Sequence, residues 1–62
     1  MRIDVHKIEI ILAEQGITKT ALAEDSGLSR QNISAILQRG TCEPRTAGKL
    51  ANGLGVPLSE II

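Results

Sequence analysis

The 62-residue sequence predicts an all-α fold of five short helices joined by tight turns. Three observations lead there. Apolar residues recur at helical spacing, at Val5, Ile8, Ile11 and Leu12 and again at Ala47, Leu50, Ala51 and Leu54. Residues that cap helices precede the helical runs, and glycines follow them. There is no aromatic residue, so the core must be Ile, Leu, Val and Ala, which suits closely spaced helices. At this length the chain is one domain, residues 1–62, near the lower limit for an independent core.

Met1 to Ile3 reads as a leader. Asp4 is placed to cap a helix over about Val5 to Gln15, with Ile10 off its apolar stripe and Gly16 as its stop. His6 reads as a surface residue near the start of that helix. Ile17 should pack inward, and the Thr18 hydroxyl can cap a second helix over about Lys19 to Asp25. Ala21, Leu22 and Ala23 give that helix a small apolar surface that permits close approach. Ser26-Gly27 is a turn signal, Leu28 points back to the core, and Ser29 caps a third helix, about Arg30 to Gln38.

Arg39 to Pro44 reads as a loop, with Pro44 fixing the start of a fourth helix over about Arg45 to Leu54. Gly48 and Gly53 each cost that helix about 1 kcal/mol relative to Ala, so it must rely on tertiary packing. Gly55 stops it, Val56 is expected in the core, and a last short helix is expected over Leu58 to Ile62. The chain then closes on Ile61-Ile62, an apolar end expected to face solvent.

The third helix carries the functional signal. At about 100° per residue, Ile33, Ile36 and Leu37 share one side. Arg30, Gln31, Ser34, Ala35 and Gln38 share the other, with Asn32 on the flank. An ordinary solvated face is rich in Glu and Lys, whereas this one has no acid. Amides pair bidentately with adenine, Arg with guanine, and a small residue lets the backbone approach a base. Two capped helices around a Gly turn, the second with such a face, read as a helix-turn-helix for duplex DNA.

The stretch TKTALAEDSGLSRQNISAILQRG, Thr18 to Gly40, resembles the helix-turn-helix of the phage repressor and Cro family. The likeness continues through P-x-x-x-x-x-L-A-x-x-L-G-V, Pro44 to Val56, and so covers nearly the whole chain. The resemblance implies a compact, lambda-repressor-like bundle of five helices whose third helix enters the major groove. It places Arg30 and Gln31 at the base-reading start of that helix, and Ser34 and Ala35 one turn on. Lys19 falls where the family touches backbone or an outer base. Thr18, Ser29, Asn32, Gln38, Arg39, Thr41 and Arg45 fall where phosphates or the minor groove are met.

The sequence departs from the family pattern in two ways. An Arg late in the first helix and a Glu late in the third often form a buried ion pair; here the positions hold Leu12 and Leu37, which are expected to pack together. Gly40 follows the third helix one residue later than the commonest pattern, which leaves the path of Arg39 to Glu43 open.

Formal net charge is zero, unusual for a DNA binder, but its distribution is uneven. Residues 1–25 hold three cations against five acids; residues 26–49 hold Arg30, Arg39, Arg45 and Lys49 against Glu43 alone. Few phosphate contacts imply a shallow salt dependence. The resemblance also implies dimerisation near the C-terminal end, through Val56, Pro57, Leu58, Ile61 and Ile62, with recognition helices roughly 34 Å apart.

The expected function is sequence-specific binding of double-stranded DNA by a transcription regulator, a repressor acting as a homodimer on a short palindromic operator. A different class is an antitoxin or interaction adaptor whose C-terminal surface binds a partner protein; neutral charge and the apolar end support it. An enzyme is not expected: there is no Ser-His-Asp set, metal-ligand spacing or phosphate loop, and no cofactor is implied. The single Cys42 allows no internal disulfide and reads either as a tolerated small residue or as a redox-sensitive thiol near the DNA. No apolar run spans a membrane and no signal peptide is evident, so the expected location is the cytoplasm of a bacterium, or a phage-encoded origin.

Overall fold

The computed structural model describes residues 1–62. Four α-helices follow in order: α1 Val5–Gln15, α2 Lys19–Ser26, α3 Arg30–Arg39 and α4 Pro44–Leu54. A three-residue 3₁₀ turn, Leu58–Glu60, ends the chain's regular structure. All-α is therefore correct, but the expected fifth helix is only this turn. Its backbone leaves helical geometry at Ile61, whose φ is −121°.

The predicted caps form. Asp4 accepts from the Lys7 amide at 3.0 Å, Thr18 from Ala21 at 3.1 Å and Ser29 from Asn32 at 3.0 Å. Each meets one of the four amides that a helix start leaves without a partner. α4 begins one residue earlier than expected, at Pro44, where the missing N–H costs nothing. Its N-cap, Glu43, makes no side-chain capping bond.

Every buried residue is apolar, and the buried set forms one cluster to which all four helices contribute. Ile8, Leu22, Ile33, Ile36, Leu50, Leu54 and Ile61 are essentially inaccessible. Leu12 and Leu37 both join this core, and no charged residue is buried in it. Ile10 is exposed, as its angular position requires. Val56 is half-buried against the core rather than within it.

Helix α4 braces α2. A Cβ at Gly53 would stand 2.8 Å from the Ser26 Cβ and 3.0 Å from the Ser26 backbone, so only Gly fits that crossing. At Gly48 a Cβ would meet nothing within 4 Å. Gln15 ties the end of α1 to the end of α4 by donating to the Leu54 carbonyl at 2.6 Å.

The chain's beginning is not a loose leader. Arg2 and Thr41 form an isolated antiparallel bridge. Ile3 N–H donates to Gly40 O, and Cys42 N–H donates to Met1 O, both at 3.0 Å. Asp4 N–H donates to Ile61 O at 2.6 Å. Ile3 is buried, and so is Ile61, at 8 % and 0 % exposure. The expectation of an exposed apolar end thus holds for Ile62, half exposed, and fails for Ile61, which completes the core beside α1. We call residues 1–4, with the two segments they bind, the terminal clasp.

Candidate nucleic-acid interface

The turn between α2 and α3 is built from three local devices. Gly27 adopts φ +76°, a left-handed conformation that a Cβ would strain, and its amide bonds Ala23 O at 3.0 Å. The Ser26 hydroxyl donates to Ala23 O and accepts from the Leu28 amide. Ser29 then restarts the helix. Leu28 packs against the core from the turn itself. These bonds set the angle at which α3 leaves α2.

On α3 the division between faces is sharp. Ile33, Ile36 and Leu37 are buried, whereas Arg30, Gln31, Asn32, Ser34, Gln38 and Arg39 are exposed and Ala35 is half-buried. The exposed face therefore presents a guanidinium, amides and hydroxyl groups around one small residue. Thr18, Lys19, Thr41 and Arg45 are exposed too. Thr18 and Ser29 spend an oxygen lone pair on capping, and each hydroxyl hydrogen remains able to donate to an acceptor such as a phosphate oxygen. Arg39 sits in the last turn of α3, where its charge complements the helix dipole.

Asn32, Arg39 and Thr41 come together. They line a cleft of about 650 Å³ with Met1, Cys42, Glu43 and Thr46, between the end of α3 and the start of α4. The loop past α3 is set by Gly40, at φ +74°, whose amide caps Ile36 O at 2.7 Å. Extending α3 through Arg39 carries that residue on helical backbone to the cleft's rim. Arg45 does not join this group. It lines a second, shallower concavity of about 390 Å³ with Gly48, Lys49, Asn52, Val56 and Leu58.

Burial pushes the Cys42 thiol up from its ordinary pKa, against the opposing pull of the terminal ammonium and Arg39. Burial thus disfavours the thiolate, the form of cysteine that reacts. No signal in the sequence marked Thr46, which lines the first cleft, or Arg2, whose backbone pairs with Thr41 of that cleft.

Two short capped helices at a Gly turn, the second with a buried apolar side and an exposed amide-bearing side, define a helix-turn-helix protein. A family model described as helix-turn-helix matches residues 8–61. The chain belongs to this family, of the Cro/C1 type, a family of DNA-binding transcription regulators. No curated protein and no solved structure matches the chain. No helix is long and apolar enough to cross a membrane.

Proposed function

We propose that the protein is a sequence-specific repressor that occupies a short palindromic operator in duplex DNA as a homodimer, without catalysis. The observation that carries this reading is α3, whose exposed side holds Arg30, Gln31, Ser34 and Gln38 and no acid, while its other side is locked in the core. Arg30 and Gln31, at the first turn, are assigned to base edges, with Ser34 and Ala35 one turn on. Thr18, Lys19, Ser29, Asn32, Gln38, Arg39 and Thr41 are assigned to the DNA backbone. Arg45 lies at the margin between that surface and the dimer contact. Repression is favoured because so small a chain has little surface left with which to recruit polymerase.

For the dimer, Val56, Pro57, Leu58 and Ile62 remain the assigned contacts. Ile61 is withdrawn from the contact, since its side chain is used up inside the monomer. The second concavity, which Val56 and Leu58 line, adjoins this patch and is available to a partner copy. Exposed Ile10 and Ile62 would equally serve a foreign protein, the adaptor or antitoxin reading.

Selection of bound duplexes from a random DNA library at low salt tests the proposal. Enrichment of an inverted repeat with half-sites about 10 base pairs apart is expected. A lone half-site would remove the dimer, and failure to enrich any duplex would transfer the assignment to protein recognition. Gln31→Ala should then cost about 1–3 kcal/mol at one base position and relax preference there, read by titrating single-base variants of the enriched site.

A further inference from the structure

The geometry points to Arg2 as an additional contact to the DNA backbone, delivered beside Thr41 by the terminal clasp. The inference rests on the DNA-binding reading above and adds to it a residue outside the stretch that the family model matches, residues 8–61.

The argument begins with the bridge. Arg2 and Thr41 are direct antiparallel partners, flanked by the bonds from Ile3 to Gly40 O and from Cys42 to Met1 O. Those flanking bonds make it the pair whose own amides point away from each other, in which side chains stand closest and leave on one face. Ile3 is buried, and successive side chains in extended chain point to opposite faces, so Arg2 points out of the core. It is exposed and makes none of the side-chain hydrogen bonds found in the chain.

Thr41 lines the cleft at the end of α3 with Asn32 and Arg39, two residues of the recognition helix. The side-chain charges lining that cleft are Arg39 and Glu43, which cancel. The Met1 ammonium, which donates to Cys42 O at 2.9 Å, leaves the cleft with a positive balance, and Arg2, paired with Thr41, adds to it. A cleft offering amide and hydroxyl groups and the Arg39 guanidinium, with the backbone of Arg2 paired to its Thr41, suits a phosphodiester. Because the backbone of residue 2 is already held by the bridge, less freedom is lost on contact than for an arm that must first order.

The test uses the whole chain and the duplex that the wild-type protein enriches from a random library. Its affinity is measured against salt for the wild type, Arg2→Gln, Arg2→Lys and Lys7→Gln. Arg2→Gln should reduce the slope of log affinity against log salt by about 0.9, one phosphate contact, while Arg2→Lys retains it. Lys7→Gln makes the same change of net charge on α1 and should leave the slope in place. Equal slopes for Arg2→Gln and wild type, both with unchanged thermal midpoints, would overturn the contact while leaving DNA binding intact. Equal losses in Arg2→Gln and Lys7→Gln would also overturn it, as an effect of net charge alone. If the wild type enriches no duplex, the DNA reading falls and Arg2 falls with it.

Discussion

The recognition unit, Thr18 to Gly40, and the terminal clasp are held by opposite means. In the first, side chains bond amides two or three residues away, and a left-handed glycine turns the chain. In the second, backbone bonds join residues remote in sequence: Ile3 to Gly40, Met1 to Cys42 and Asp4 to Ile61. The first kind of order is written in short motifs and stands on local chemistry. The second appears only once the helices have packed and brought the segments together. They meet at Gly40, which both ends α3 and accepts from the clasp, so the placement of α3 depends on both.

The largest expected effect breaks the recognition unit from beneath. Leu37→Glu places a charge in an entirely apolar core and should cost about 3–5 kcal/mol. Adding Leu12→Arg should recover part of this, as read by urea melts of the four members of the cycle; no recovery would mean that the two side chains do not meet. Next comes the clasp. Ile3→Ala should cost about 2 kcal/mol, at the low end for a buried Ile because the chain end can relax. In that variant the amides of Ile3 and Cys42 should exchange with solvent far faster, while those of Gly27 and Ile33 keep their ranking. Uniform loss of protection would show that the two regions open as one.

Ser29→Ala is smaller and local: about 1 kcal/mol from the lost cap at the start of α3, measured by thermal melting, with the clasp amides unaffected. The smallest effects separate two glycines of α4. Gly48→Ala should stabilise by up to about 1 kcal/mol, since its side chain enters open space. Gly53→Ala should instead destabilise, because its methyl group would push α4 away from Ser26, at the end of α2. Equal gains at both positions would remove the argument that α4 braces the recognition unit through that crossing.

Much of this molecule was legible in its residues, and the boundary follows the same division. The limits of α1, the three side-chain caps and the two faces of α3 could be read because periodicity and capping are local. Burial of Leu12 and Leu37 could be read because each lies on an apolar stripe. The clasp could not. Its bonds are between backbone groups, which every residue carries, and Met-Arg-Ile has no turn or cap chemistry to mark it. Ile61 was misplaced for the same reason, since an apolar residue near a chain end looks exposed until something covers it. The surface positions of Arg30, Gln31 and Arg39 followed from helical geometry, whereas the parting of Arg45 from Arg39 and Thr41 depended on how the loop runs into α4.

The bond between Asp4 and Ile61 has a consequence for how the chain is threaded. Residues 4 and 61 are joined directly, so the first and last segments of the polypeptide run past one another at the edge of the apolar cluster. A short peptide joining residue 62 to residue 1 would close the backbone into a ring without disturbing the four helices, and new ends could be opened at an exposed turn such as that at Gly16. A cargo ahead of residue 1 would stand beside Thr41, where the nucleic acid is expected to lie, so one placed after residue 62 is the less obstructive choice.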